Sequence, residues 1–350
     1  MINLEEGLTV LSCFDGMGCG RIALERAGLK VKAYYASEID KPAMKVAKHN
    51  WPDIIHIGDV TKVRYADGWL YTENGNFYIG RIDLLIGGSP CQGFSFAGKQ
   101  LNFEDPRSKL FFEFVRLRRE SACEYFMLEN VMMKKEHQQV ISEHLFVEPK
   151  FINSELLSAQ HRKRLYWSNI PFFQMPVDKE LCILDIVQND IKAELSEKEM
   201  AYMLRSSEKW SGGKTRINIY NNPLNGKALC LTANMYKGVP YGVIRKPPVL
   251  TRVGTAEDIK GHDYNRRIYH AEGKSPSLAA ASGGNLEPKI ALNASEYRKL
   301  TAIECERLQT VPDNYTSQVS NSQRLKMLGN GWTVDVITHL FEPLNYADIL

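Results

Sequence analysis

The chain has 350 residues, of which 44% are hydrophobic, 24% charged and 10% aromatic. This composition is typical of soluble globular proteins, so collagen-like, coiled-coil and disordered chains are excluded. The formal net charge is only +3, but residues 205–267 carry twelve Lys and Arg against four Asp and Glu. A basic segment of this kind is expected of a surface that binds phosphate groups.

The first half of the chain predicts strands and helices in alternation. Strands are predicted at residues 8–14, 32–36, 54–57, 82–86 and 125–128, and helices at residues 21–27, 40–49 and 109–119. This alternation predicts an α/β fold, with a Rossmann-like, mostly parallel sheet that has helices on both faces. Ligands of such sheets bind at the carboxyl ends of the strands.

The pattern changes after residue 170. Prolines, glycines and asparagines interrupt every periodic run from residue 171 to residue 292, which predicts a smaller, irregular domain. Regularity returns near residue 300, with one predicted helix at residue 302 and a last amphipathic helix that carries Val334, Ile337, Leu340, Phe341 and Leu344. We therefore expect a first domain of residues 1–170, a second of residues 171–292, and a return to the first at residues 293–350.

Membrane and metal association are both disfavoured by the sequence. No apolar run approaches the roughly 20 residues of a membrane-spanning helix, and the first residues lack the basic and apolar regions of a signal peptide. The seven cysteines are an odd number without a C-x-x-C pair, which argues against a disulfide framework and a zinc cluster. We expect a cytoplasmic protein that binds neither a membrane nor a metal.

A glycine-rich turn, FDGMGCG at residues 14–20, joins the first predicted strand to its helix. Glu38 ends the second strand, where its carboxylate can accept hydrogen bonds from ribose hydroxyls. The turn is consistent either with a nucleotide-type cofactor or with a tight bend alone. Arg21 stands where the dinucleotide fingerprint requires glycine, which disfavours a pyrophosphate-bearing cofactor. S-adenosyl-L-methionine has an adenosine and no phosphate, so it suits a tight turn with a ribose carboxylate.

Two chemically reactive residues follow neighbouring predicted strands. Cys91 lies in the segment GGSPCQGFS at residues 87–95, directly after the fourth strand, and Glu129 ends the fifth. An exposed thiolate at this edge of a sheet can act as a nucleophile, with a nearby carboxyl group as proton donor. The alternatives are a buried structural cysteine, and a carboxylate that caps a helix or forms an ion pair.

Further motifs occur in order along the chain: SPCQ at residues 89–92, FED at 103–105, ENV at 129–131, QHRKR at 160–164, RLQ at 307–309 and GNG at 329–331. With this ordered set, the sequence resembles a DNA (cytosine-5)-methyltransferase over nearly the whole chain except the basic middle segment. Its build is more similar to bacterial and phage enzymes, while its first and last motifs also resemble the catalytic domains of vertebrate de novo methyltransferases. The resemblance implies the class I fold of methyltransferases that depend on S-adenosyl-L-methionine.

The resemblance implies catalytic roles for four residues. Cys91 would add to C6 of a target cytosine, which makes C5 nucleophilic toward the methyl group of the cofactor. Glu129 would hydrogen-bond N3 and the exocyclic amine, and Arg162 and Arg164 would hold O2 of the base and a neighbouring phosphate. Because C6 is hidden in the base stack, the cytosine must be rotated out of the duplex.

The resemblance also implies cofactor-binding residues from both ends of the chain. Glu38 and Ile39 would contact the ribose and adenine, and Asp59 and Val60 the adenine amine and ring. Trp332 is equally consistent with plain core packing. The complete expected set is Phe14, Asp15, Gly16, Met17, Gly18, Glu38, Ile39, Asp59, Val60, Pro90, Leu110, Asn330 and Trp332.

The implied partner is double-stranded DNA, read by residues 171–292 as a target-recognition domain, and the implied state is a monomer. A cognate restriction endonuclease and a lone modifying role both stay open. One alternative substrate is tRNA, but the Cys-Phe-Thr tripeptide of that branch does not occur in this chain. A DNA-binding relative without catalysis is disfavoured because Cys91, Glu129 and Arg164 occur together. A nicotinamide-dependent oxidoreductase is disfavoured by Arg21.

Overall fold

The computed structural model describes residues 5–89, 106–171, 174–181, 185, 186, 188 and 300–346, together with the backbone of separate strands between residues 218 and 299. The side chains of residues 106–109 are outside the description, and so are Pro90 and Cys91. The chain forms two compact units. The first comprises Met1–Leu181, Cys230–Lys237 and Ala302–Leu350, and the second comprises Cys182–Leu229 and Gly238–Thr301.

The first unit is an α/β structure. Its strands are β1 (Leu8–Cys13), β2 (Val31–Ser37), β3 (Ile54–His56), β4 (Arg64–Ala66), β5 (Trp69–Thr72), β6 (Gly75–Tyr78), β7 (Leu84–Gly88), β8 (Tyr125–Val131), β9 (Lys150–Asn153), β10 (Gln160–His161) and β11 (Lys163–Ser168). Its helices are α1 (Cys19–Arg26), α2 (Lys41–Asn50), α3 (Pro106–Ser121), α4 (Lys135–Leu145), α5 (Ala302–Leu308), α6 (Asn321–Asn330) and α7 (Val334–Phe341). Short 3-10 turns follow at Val60–Lys62, Ser154–Leu156 and Glu342–Tyr346.

A seven-stranded sheet in the order β3-β2-β1-β7-β8-β11-β9 forms the centre of this unit. The five strands from β3 to β8 are parallel, and β11 is antiparallel to both of its neighbours. All six residues of β1 are buried, as expected of a central strand covered on both faces. The order of strands reverses between β1 and β7, and a crevice outside the carboxyl ends of the strands is expected at such a point. The structure confirms the predicted fold class.

A three-stranded antiparallel sheet, β4-β5-β6, is inserted between β3 and β7. We call it the meander (residues 64–78). Its two turns use residues with positive φ, Asp67 and Gly68 in the first and Gly75 in the second, which is the conformation that tight hairpins require. Buried Leu70 and half-buried Phe77 join the hydrophobic core. The sequence pattern predicts no element here, so the meander is new information from the structure.

The last helices of the first unit return to its beginning. Helix α7 packs against α1 through its apolar face, which includes Val334, Ile337 and Phe341. None of the helices that the structure describes has the length and apolar character that a membrane span needs. Within the same described residues, no cluster of three or more His, Cys, Asp or Glu side chains is arranged to hold a metal ion.

Between residues 218 and 299, the second unit is described only as backbone strands. They are β12 (Asn218–Tyr220), β13 (Ala228–Leu229), β14 (Gly242–Arg245), β15 (Leu250–Thr255), β16 (Arg267–Ala271), β17 (Lys289–Ile290) and β18 (Tyr297–Lys299). Two three-stranded sheets form here, in the orders β12-β14-β18 and β15-β16-β17. All of these strands except β18 lie within residues 171–292, for which the composition predicts an irregular domain, whereas β18 lies in residues 293–350, which the sequence assigns to the first domain.

Candidate active site

A cavity of about 390 Å³ opens at the carboxyl ends of β1, β2, β7 and β8 and is closed on one side by the end of α6. Of the thirteen residues predicted to bind a cofactor, ten line it: Phe14, Asp15, Gly16, Glu38, Ile39, Asp59, Val60, Leu110, Asn330 and Trp332. The predicted catalytic residues Glu129, Arg162 and Arg164 line it as well. Pro90 and Cys91 lie outside the described residues. The structure thus brings residues from both ends of the chain to one cavity.

The carboxylate of Glu38 fixes the glycine-rich turn. Its Oε2 accepts a hydrogen bond from the Gly16 amide at 2.8 Å, and its Oε1 accepts from the Ile39 and Asp40 amides at 2.7 and 2.8 Å. Three backbone donors therefore hold the carboxylate in one orientation, and Oε2, which accepts from only one of them, keeps a lone-pair direction for a further donor. Gly16 has φ +63°, and a Cβ built there would meet nothing within 4 Å. The backbone at Gly16 consequently leaves room for a ligand to approach.

Asp15 is buried beneath this turn. Its Oδ1 accepts hydrogen bonds from the Ser12 and Tyr34 hydroxyls, both at 2.6 Å, while Oδ2 has no hydrogen-bond partner among the described residues. Burial raises the pKa of Asp15 from 3.8 to about 6, against the lowering effect of the two hydroxyl donors. The carboxyl group is therefore held in an environment that disfavours its charged form.

Met17 and Gly18 support the turn from below and do not line the cavity. Met17 is buried in the core, and its carbonyl accepts a hydrogen bond from the Tyr315 hydroxyl at 2.8 Å. Gly18 precedes α1 with φ +84°, and a Cβ there would lie 3.3 Å from the same hydroxyl. Tyr315 also accepts a hydrogen bond from Nε1 of Trp51 at 3.1 Å, so it links the glycine turn to the end of α2.

The turn after β3 supplies Asp59 and Val60 to the cavity. Oδ1 of Asp59 caps the following 3-10 turn by accepting from the backbone N–H and the hydroxyl of Thr61, both at 2.9 Å. Oδ2 of Asp59 makes neither of these contacts. Ile39, which also lines the cavity, is 70% exposed, as a side chain that covers a flat ligand would be before the ligand binds.

The edge formed by β7 and β8 carries the predicted catalytic carboxylate. Gly88 and Glu129 are direct neighbours in the parallel register of these strands. Nε of Arg164 lies 2.8 Å from Oε1 of Glu129, and both side chains are only 11–13% exposed. The alignment of the Nε–H does not meet the geometry of a hydrogen bond, so we describe the contact as an ion pair. Cys91 follows three positions after Gly88 in the chain.

Arg162 has a different environment from Arg164. It is 3% exposed, and Nη2 donates to the carbonyl of Gly331 at 2.7 Å, with longer contacts of 3.4 Å to the carbonyl of Gly329. These two glycines flank Asn330, so Arg162 holds the wall of the cavity that α6 contributes. Its predicted contact with a substrate stays a prediction.

Eleven of the described residues that line the cavity were not predicted as site residues; Asp40 is one of these, and Gln309 supports the cavity without lining it. Gln309 is fully buried, donates to the carbonyl of Leu328 at 2.6 Å and accepts from the hydroxyl of Thr333 at 2.9 Å. Gln309 is the last residue of the RLQ motif, and this motif is the sequence signal that could have identified it. Asp40 lines the cavity and pairs with Lys326 at 2.7 Å, a long-range contact that no local pattern announces.

Comparison with known proteins gives a consistent result. Residues 8–345 match the family model described as C-5 cytosine-specific DNA methylase. The type II methyltransferase M1.ScrFI of Lactococcus lactis subsp. cremoris is 30% identical, over 96% of this chain and 77% of that protein. The orphan methyltransferase M.SPRI of Bacillus phage SPR is 26% identical over 98% of each chain. The structure of S. pombe Dnmt2 methyltransferase is similar in fold, with a TM-score of 0.60 at 17% identity and coverage of 97% and 99%.

Proposed function

The chain belongs to the C-5 cytosine-specific DNA methylase family, and on that premise we propose that it methylates C5 of a cytosine within a specific sequence of double-stranded DNA. The observation that carries the proposal is the meeting of Glu38 and Glu129 in one cavity, at the carboxyl ends of β2 and β8. The first carboxylate suits a ribose and the second a cytosine ring. The two ligands of a cytosine methyltransferase would therefore meet at this edge of the sheet.

The cofactor of this family is S-adenosyl-L-methionine, which supplies an electrophilic methyl group when bound. The cavity fits it in three respects. Gly16 leaves open space beside the backbone, and Glu38 presents a fixed carboxylate. Asp59 caps the 3-10 turn with Oδ1, and Oδ2 takes no part in that capping. We propose that the ten lining residues named above bind the cofactor, with Pro90 completing the set and Met17 and Gly18 supporting the turn.

The catalytic roles follow from the chemistry of the cytosine ring. The thiolate of Cys91 would form a bond to C6, which transfers an electron pair into the ring and makes C5 nucleophilic. Glu129 would hydrogen-bond N3 and the exocyclic amine and so stabilise the charge that develops there. Methyl transfer to C5 would leave S-adenosylhomocysteine, C5 would then give its proton to a solvent water, and elimination of the Cys91 thiolate from C6 would restore the aromatic ring. Arg164, already paired with Glu129, would hold O2 of the base.

The middle part of the chain would recognise the DNA. We propose that residues 171–292 form the target-recognition domain, since residues 205–267 are strongly basic and phosphate contacts dominate DNA affinity. The target cytosine must leave the base stack to reach a cavity in the protein. We further propose a monomer that acts on DNA in the cytoplasm. Type II and orphan relatives both occur, so either role in the cell is compatible with the proposal.

The direct test is bisulfite sequencing of a plasmid from a bacterial host that lacks its own cytosine-5 methylation. Expression of the protein should protect cytosines within one short recognition sequence, and Cys91→Ser should abolish protection while DNA binding persists. Glu129→Gln should lower the transfer rate by about 100-fold or more, as loss of a charge-stabilising group does. Absence of protected cytosines from cells that contain folded protein would contradict the proposal. Label from tritiated cofactor that disappears with RNase treatment would instead identify tRNA as the substrate.

A further inference from the structure

The turn between β5 and β6 reaches back to the turn that carries Asp59. Oε1 of Glu73 accepts a hydrogen bond from the backbone N–H of Asp59 at 2.9 Å. Oε2 of the same carboxylate pairs with Nζ of Lys62 at 2.5 Å. One side chain of the meander therefore contacts both ends of the segment Asp59–Lys62, whose first two residues line the cavity.

The fit between Glu73 and this turn is close. Gly58 has φ +81°, and a Cβ at this position would collide with the Glu73 carboxylate. The adjacent Asn74 donates from Nδ2 to the carbonyl of His56 at 3.1 Å. The segment from His56 to Asp59 thus has the shape that accommodates the hairpin turn, and any side chain larger than glycine at position 58 would displace the side chain of Glu73.

The position of Glu73 is set by the body of the protein. The rings of Phe77 and Tyr35 are in contact, with centroids 5.6 Å apart, and Tyr35 lies on β2, the strand that leads to Glu38. At the other end of the meander, the Tyr65 amide donates to Oε2 of Glu120 on α3 at 2.9 Å. The meander is therefore anchored independently of any ligand, and it can hold the Asp59 turn in place before a ligand arrives.

We propose that Glu73 is a positioning residue for cofactor binding, which acts by fixing the Asp59–Val60 turn in its ligand-binding conformation. The inference rests on the function proposed above for the same cavity. A turn that is already ordered loses less conformational entropy when it binds, so its affinity is higher. Hydrogen bonds from Lys62 and from the Asp59 amide lower the pKa of the Glu73 carboxyl, which keeps it ionised as the stronger acceptor.

The proposal is tested by titration calorimetry with S-adenosylhomocysteine. Glu73→Ala should weaken binding by about 5- to 20-fold, which is less than the full contribution of a charge-assisted hydrogen bond because Glu73 does not itself contact the ligand. Glu73→Gln retains the acceptor for Asp59 and should stay within about threefold of the wild type. Turnover at saturating cofactor should be the same in all three proteins, because Glu73 does not touch the reacting atoms. The matched control is Glu6→Ala, which removes the exposed ion pair with Lys32 and should leave binding unchanged.

Unchanged binding by Glu73→Ala, or a loss of turnover without a loss of affinity, would overturn the assignment. If Glu73→Ala does not fold, Lys62→Met removes the other anchor of the carboxylate and should still weaken binding, by about threefold. Wild-type affinity in that variant would then count against the proposal. Failure of the proposed function is distinguishable, because the wild-type protein itself would then neither bind S-adenosylhomocysteine nor protect cytosines.

Discussion

Asn130 and Ser89 bind each other across the carboxyl ends of two neighbouring strands, with Nδ2 of Asn130 3.0 Å from Oγ of Ser89. Both side chains are buried, at 1% and 5% exposure. Asn130 follows the proposed catalytic carboxylate by one position, and Ser89 precedes Cys91 by two. The hydrogen bond therefore links the chain segments on which the proposed nucleophile and its partner carboxylate are carried.

This link predicts coupled effects on turnover. Asn130→Ala and Ser89→Ala should each lower the methyl-transfer rate by about tenfold or more, since small displacements of reacting groups have large kinetic costs. The double variant should be no slower than the slower single variant, because either substitution already removes the same contact. Single-turnover kinetics on all three variants measure this. Fully additive losses would show that the two side chains act separately.

A comparison of two glycines separates cofactor contact from backbone strain. Gly16 and Gly80 have nearly the same φ, +63° and +64°, and in each case a Cβ would meet nothing within 4 Å. Only Gly16 lines the cavity. Gly16→Ala and Gly80→Ala should therefore lower the free energy of unfolding by a similar amount, about 1–2 kcal/mol.

Binding should distinguish the two variants. Gly16→Ala places a methyl group in the space that we assign to the cofactor. The affinity of this variant for S-adenosylhomocysteine should therefore fall by about tenfold or more, which corresponds to a loss of about 1.4 kcal/mol in binding free energy. Gly80→Ala should bind as the wild type does. Calorimetry provides both affinities, and equal affinities in the two variants would place the cofactor elsewhere.

Asp15 predicts a pH dependence of stability. In the unfolded chain its carboxyl group ionises near the ordinary pKa of 3.8, whereas in the folded protein burial raises the pKa to about 6. The folded state therefore binds the proton more tightly, so this contribution to stability is complete below about pH 4 and is lost as the pH rises through 6. Asp15→Asn cannot ionise and keeps an oxygen for the Ser12 and Tyr34 hydroxyls.

The variant should gain stability relative to the wild type as the pH rises from 4 to 7.5, by about 2 kcal/mol. Urea unfolding at a series of pH values measures the difference. Unfolding curves that stay parallel across this range would show that Asp15 titrates at its ordinary pKa in the folded protein.

Tyr315 predicts a stability effect that depends on a single hydroxyl group. Its buried oxygen donates to the Met17 carbonyl and accepts from Nε1 of Trp51. Tyr315→Phe leaves both groups without this partner, which should cost about 1–3 kcal/mol of unfolding free energy. Tyr346→Phe is the matched control, because Tyr346 is 61% exposed and should cost less than about 0.5 kcal/mol. Equal losses in the two variants would contradict the interpretation.

The central sheet and most of its helices follow from the sequence because their signals are local. Strand β1 is an unbroken apolar run, α2 has apolar residues at helical spacing, and the glycine turn between β1 and α1 has its own composition. The meander was missed because β4, β5 and β6 have only three or four residues each. Runs that short do not establish a period, although Asp67-Gly68 and Asn74-Gly75 are hairpin signals in retrospect.

The site residues were predicted from sequence motifs. Motifs indicate residue types and their spacing, but they do not indicate contacts between distant parts of the chain. The assignments of Glu38, Asp59 and Trp332 to one cavity agree with their placement, yet nothing in the local sequence indicates that Arg162 binds the carbonyls beside Asn330. In the sequence, Arg162 lies 167 positions before Gly329 and 169 positions before Gly331. Only the folded chain brings these residues together. The same holds for Lys326 and Asp40, which are 286 positions apart.

The two walls of the cavity are made at different times. Cys19 and Trp332, which both line it, are 313 positions apart in the chain. At common rates of synthesis, a ribosome that has finished the first wall needs roughly 15–60 s to reach the second. A premature stop codon between positions 92 and 331 would leave a protein that carries Cys91, the proposed nucleophile, but lacks Trp332 and therefore one wall of the cavity.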